Sequence, residues 1–247
     1  MAADALTLNL VGSAALVAIV HTAIGPDHTL PFVMLARARR WSLRRTLLVT
    51  AACGAGHVAS SLALGALGVA AGASTQALEG LEISRGALAA WGMVVFGAAY
   101  ALWGIRQALR RSHAIELHAH GGAVHVHAHA GHGHAHLLAG HAPHHGVSED
   151  APQRSATFWT LFLVFVLGPC EPLIPLFFLP ASEGRWELAA WTGAVFSLVT
   201  IATMLVLVGG ACAGMRLLPL ERLERWSHGL AGLVIAGSGL AVLYGGL

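Results

Sequence analysis

The sequence predicts an all-α membrane protein: six transmembrane helices, built as two inverted three-helix repeats and joined by a histidine-rich loop. Three observations carry this. First, 56% of the 247 residues are hydrophobic and only 11% are charged, with a mean hydropathy of +0.68; soluble domains carry about 25% charged residues. Such a composition excludes a water-soluble enzyme and an intrinsically disordered chain. Second, apolar stretches recur at lengths that span a bilayer, which takes about 20 residues per helix. Third, motifs in the first half recur in the second.

The apolar stretches run near residues 8–36, 46–70, 86–105, 156–181, 188–215 and 226–247. Helices satisfy their own backbone in hydrocarbon, so each is read as a spanning helix. No basic residue precedes the first, which is therefore not expected to be a cleaved signal peptide. Arginine placement sets the orientation. Of the 14 basic residues, all arginine, 12 fall after spans 1, 3 and 5 (such as Arg37, Arg44, Arg106 and Arg216), and only Arg85 and Arg185 fall in the alternate loops. The chain is thus expected in the cell (inner) membrane as a multi-pass protein with both termini outside. Trp91, Trp103, Trp159, Trp186, Trp191 and Trp226 read as belt residues. Cys53 and Cys212 read as packing residues, and His228 as interfacial. A net charge of +2 gives no reason to expect nucleic acid.

The organisation follows: residues 1–112 form the first three-helix repeat, 113–155 the histidine-rich cytoplasmic loop, and 156–247 the second repeat. Span 1 contains Gly25-Pro26-Asp27-His28-Thr29-Leu30-Pro31-Phe32; span 4 contains Gly168-Pro169-Cys170-Glu171-Pro172-Leu173-Ile174-Pro175-Leu176. Span 3 has Gly97-Ala98-Ala99-Tyr100-Ala101-Leu102-Trp103-Gly104, and span 6 a similar Gly237 to Gly245 segment. An odd number of spans per unit makes the second copy enter from the opposite side, as in many secondary transporters. Gly25-Pro26 and Gly168-Pro169 are the expected helix breaks, since Pro26 and Pro169 each remove a helical N–H.

Polar residues inside the spans are the candidate site. A carboxylate at mid-membrane costs about 2.5–3.5 kcal/mol and is functional by default. Asp27 and Glu171 are such groups, and His21, His28 and His57 join them. Cys170 suits either a ligand or a small packing residue. His57 suits a ligand or a cross-helix hydrogen bond, Asp27 with His28 a site or an internal ion pair, and Glu171 a ligand or a neutral acid. His21 and His28 would lie about 10.5 Å apart on a straight helix, so either the break folds them together or His21 serves the approach to the site. Imidazole with carboxylate, and with one thiolate, suits Ni²⁺, Co²⁺ or Zn²⁺; Mg²⁺ or Ca²⁺ would want oxygens alone.

The loop holds 12 of the 16 histidines, spaced by alanine and glycine. His118, His120, His125, His127, His129, His132, His134, His136, His141, His144 and His145 are its candidate metal ligands. With no core-forming pattern it is expected to lack regular structure without a ligand. Alternate residues of an extended segment point the same way, so His-x-His pairs can chelate one ion.

The segment His21-Thr22-Ala23-Ile24-Gly25-Pro26-Asp27-His28 resembles the signature of the nickel/cobalt transporter families: the nickel–cobalt permeases, the NicO efflux-type proteins and the small hydrogenase- and urease-linked permeases. Their signature is a His, a short gap and an Asp-His pair in one membrane helix. The permeases have four residues in that gap; here there are five, closer to the hydrogenase- and urease-linked members. Efflux-type members also carry a histidine-rich cytoplasmic loop. The resemblance implies transport of Ni²⁺ or Co²⁺ with direction open, no prosthetic group, and no enzymatic activity. It implies as partners the lipid bilayer, a divalent metal ion, and metallochaperones or urease/hydrogenase maturation proteins. No lysine exists, so no Gly-x-x-x-x-Gly-Lys motif supplies ATP coupling. The Gly168-Pro169-Cys170 segment is also similar to thiol-redox membrane proteins, and the two-repeat plan to sulfite exporters. A membrane accessory or redox-linked role is the alternative, although Asp27 stands where a second cysteine would be needed.

Overall fold

The computed structural model describes residues 2–112, 115–120, 123–128, 151–168, 170–216 and 221–245. Eight helices account for the apolar part: α1 (Ala2–Ile24), α2 (Leu30–Ala38), α3 (Leu43–Ala70), α4 (Thr75–Ser112), α5 (Ala151–Leu167), α6 (Leu173–Ser182), α7 (Trp186–Arg216) and α8 (Ser227–Gly245). Apart from one hairpin, every element among the described residues is helical. In the hairpin the backbone of Ile115–His120 pairs antiparallel with Ala123–Ala128, placing His118 opposite His125. The sequence reading expects no regular structure here; strict alternation of residue types is the period of a pleated strand. His129, His132, His134, His136, His141, His144, His145 and Pro169 lie outside the described residues, and only the backbone is described at His118, His120, His125 and His127.

Among the described residues, five helical segments are long and apolar enough to cross a membrane: Thr7–Ile24, Leu43–Ala70, Thr75–Arg110, Trp186–Met215 and Glu224–Gly245. The expected fourth span is instead two shorter apolar helices, Thr157–Leu167 and Leu173–Ser182. The first span is divided as well, into α1, a single 3₁₀ turn at Pro26–His28, and α2. Large apolar side chains face outward all round the bundle: Leu8, Leu67 and Val206 are 73%, 68% and 72% exposed. So large an apolar exterior marks a membrane-embedded protein.

Local chemistry fixes the ends. Ser42 caps α3, its hydroxyl accepting from the Arg45 N–H at 3.3 Å. α2 closes with paired return bonds, Trp41 N–H to Ala36 O (2.8 Å) and Arg40 N–H to Arg37 O (3.1 Å). This closure places Arg40 in the left-handed region at φ 49°.

α1 packs on α7, α3 on α5, α6 and α7, and α2 and α4 on α8. The main core gathers Phe32, Leu35, Trp41, Phe165, Met204 and Ile235. α4 and α8 meet backbone to backbone. A Cβ on Gly232 would lie 2.2 Å from Ala101 N, one on Gly97 2.4 Å from Ala236 N, and one on Gly104 2.4 Å from Gly229 N. Small residues allow such contact where hydrocarbon removes the hydrophobic drive for helix pairing.

Candidate metal centre

The two breaks build the site. α1 finishes with Gly25 N–H bonded to His21 O at 3.0 Å. Gly25 is extended (φ −66°, ψ 109°), as a residue before proline must be. His28 N–H then bonds Gly25 O at 3.3 Å, closing the 3₁₀ turn. This turn folds His28 back onto the last turn of α1, and the His21 and His28 rings stand 5.0 Å apart. α3 brings His57 to the other side, its ring 5.3 Å from that of His28. The α5–α6 break brings Cys170, which is fully buried. His21, His57 and Cys170 each offer a ligand atom, and the three atoms lie within 4.8 Å of one another.

Hydrogen bonding decides which nitrogen faces inward. His57 Nδ1 lies 3.2 Å from the Phe165 carbonyl, which can only accept, so Nδ1 carries the proton. His28 Nδ1 lies 3.0 Å from an Asp27 carboxylate oxygen, which fixes its proton in the same way. In a neutral imidazole the other nitrogen then holds a bare lone pair. The Nε2 atoms of His21, His28 and His57 are all buried, and among the described residues none has a hydrogen-bond partner. Imidazoles oriented by a carboxylate or carbonyl on Nδ1, with a basic Nε2 aimed into the interior, are the arrangement metal-ligating histidines use. A cavity of about 20 Å³ adjoins His57, lined also by Asp27, Phe165 and Gly168 among others, which is room for one water-sized body.

The candidate site therefore gathers His21, His57 and Cys170, with the His28 ring beside both histidines and Asp27 behind His28. Glu171 is exposed and outside the His21–His57–Cys170 group. Gly25 and Gly168 line the site directly. A Cβ on Gly25 would sit 2.5 Å from His28 Nδ1, and one on Gly168 3.4 Å from His57 Nδ1. Cys53 is buried in the main core, away from the smaller cluster that holds Cys170, and none of the three cysteines is in a disulfide.

Sequence reasoning missed Glu82. It lies on α4, is 1% exposed and forms an ion pair with Arg85. Its second oxygen accepts the Cys170 N–H at 3.2 Å. The third span, expected over 86–105, starts at Thr75, which draws both charges into the helix. The available signal was their spacing, since Glu and Arg at i, i+3 favour one helix face.

Compared with known proteins, the chain matches no family model, no curated protein and no solved structure.

Proposed function

We propose that this protein is a membrane carrier of a divalent transition-metal cation, nickel or cobalt, with no enzymatic activity of its own. One observation carries the reading: His21, His57 and the Cys170 thiol converge at two helix breaks inside an apolar bundle, with the His28 ring beside them and the buried Nε2 atoms of all three histidines without a hydrogen-bond partner among the described residues. Nitrogen with sulfur favours borderline ions over Mg²⁺ or Ca²⁺. Asp27 offsets part of the ion's charge through His28. The ion is the cargo, held in passage.

The topology belongs to the same proposal. α1 and α2 count as one crossing and α5 and α6 as another, which makes six. The packing supports two inverted units, since α1 lies on α7 while α5 and α6 lie on α3. In that frame both termini are outside, the histidine-rich loop is cytoplasmic, and its histidines bind metal there. Inward passage of a dication is favoured by about 4.6 kcal/mol at 100 mV, twice the single-charge value. The thiol-redox alternative is disfavoured because a single cysteine stands at the breaks.

The test is accumulation of radiolabelled Ni²⁺ and Co²⁺ in cells with the protein, without it, and with His57→Ala. Altered accumulation that reverts to background in His57→Ala at equal membrane abundance supports the reading. Accumulation indifferent to the protein defeats it.

A further inference from the structure

We propose that the buried Glu82–Arg85 pair of α4 is a positioning clamp that sets the Cys170 sulfur at the metal centre and so selects for thiophilic ions. This inference rests on the metal-carrier reading above.

The described residues between α5 and α6, Gly168 and Cys170 to Pro172, are not helical, so no helical ladder sets their place. Val166 has a carbonyl at the open end of α5, and Cys170 has an N–H at the start of the next segment; such terminal groups need partners. One ion pair supplies both. Arg85 Nη2 donates to Val166 O at 2.8 Å, and Glu82 Oε2 accepts from Cys170 N at 3.2 Å. Both sides of the break are thereby tied to α4. The same guanidinium donates to Ser60 Oγ at 2.9 Å, and Ser60 donates to the His57 carbonyl at 2.8 Å. Two ligand-bearing segments, one on α3 and one at the break, are thus referred to a single charged pair. His57 adds the closing contact through Phe165 O, next to Val166.

Stability does not account for the pair. Glu82 is 1% exposed and Arg85 20% exposed; an ion pair held mostly away from water repays the desolvation poorly, and apolar replacement of both is often neutral. Registry is the better-attested use of buried charge, and registry is what the broken segment lacks. The Arg fork also suits this role, since its donors leave one plane in fixed directions and reach three acceptors on three segments.

The experiment is Co²⁺ titration of purified protein, following the sulfur-to-cobalt charge-transfer absorption, with Cys170→Ser to assign that band. The decisive variant is Glu82→Met with Arg85→Met, which removes both charges at similar side-chain length. It should melt near wild type, lose the sulfur band and bind Co²⁺ about 10–100-fold more weakly, as loss of outer partners does. Arg85→Lys, which keeps the pair's charge, should retain the band. A folded double variant with wild-type band and affinity overturns the clamp and leaves the metal-carrier reading intact. So does a wild-type protein that binds Co²⁺ without any sulfur band. A wild-type protein that binds no Co²⁺ defeats both. Should the double variant not fold, Glu82→Gln decides. It turns one of the two carboxylate acceptors, which serve Arg85 and the Cys170 N–H separately, into an NH2 donor, so a weaker band and at least about tenfold weaker binding support the clamp. Wild-type behaviour in Glu82→Gln overturns it.

Discussion

Gly25→Ala tests the site through one added methyl group. The backbone at Gly25 has φ −66° and ψ 109°, which alanine adopts without strain. Any effect must therefore come from contact. The new Cβ would lie 2.5 Å from His28 Nδ1 and 2.8 Å from an Asp27 oxygen. Ordinary contact begins at 3.4 Å, so the imidazole must retreat by about 0.9 Å. The Asp27–His28 hydrogen bond is 3.0 Å long, and a shift of that size removes it. Losing the carboxylate partner of a metal-bound histidine costs about 10–100-fold in affinity, or about 1.4–2.8 kcal/mol. The assay is Co²⁺ or Ni²⁺ titration in detergent, with thermal melting of the metal-free protein alongside. Melting should change little while binding weakens by that factor. Wild-type binding would show that the Asp27–His28 pair does not orient a ligand, and the site geometry argued here would be wrong.

Asp27→Asn keeps the size and removes the charge; transport should fall close to background at unchanged membrane abundance, and normal transport would remove Asp27 from the mechanism. Gly232→Ala should lower stability by about 1–3 kcal/mol, because its Cβ meets the Ala101 backbone, while Gly237→Ala, with open space around it, should be neutral or gain up to about 1 kcal/mol from helix propensity; equal melting temperatures for the two would contradict the close α4–α8 contact. Deleting residues 114–145 should leave transport measurable but raise the metal concentration for half-maximal rate. Metal binding by the isolated loop should fade as pH falls toward about 5, since free imidazole has a pKa near 6.5 and only its neutral form binds metal; binding that persists at acid pH would argue against histidine ligation.

The apolar stretches, the breaks at Gly25-Pro26 and near Gly168, and the histidine of α3 are all legible in the sequence, because hydropathy and missing backbone donors are local properties. What is not legible depends on long-range contact. Cys170 and Glu171 are neighbours in a non-helical segment, so which of them turns inward depends on what packs against the break. The sequence reading leans on the carboxylate; the structure buries the thiol and exposes Glu171. Glu82 is hidden for a related reason. Between Thr75 and Gly86, Glu82 and Arg85 look like part of a solvated loop until their distant partners are known, and those partners come from α3 and the α5–α6 break, 25 to 88 residues away in sequence. The separation of His21 and His28 is likewise set by a turn whose angle spacing alone does not give.

The glycine contacts between α4 and α8 constrain motion. Side chains that interdigitate can change rotamer and let two helices slip past one another. Peptide groups touching through Gly97, Gly104 and Gly232 have no such freedom, and displacement along the axis brings an alanine onto a carbonyl. The two helices therefore behave as one keel. Glu82 and Arg85 ride on the same helix about three to four turns below Gly97, so their hold on Cys170 is referenced to this keel. The breaks after α1 and after α5, where the helical ladder is interrupted, are the places in this bundle left free to bend against that fixed member.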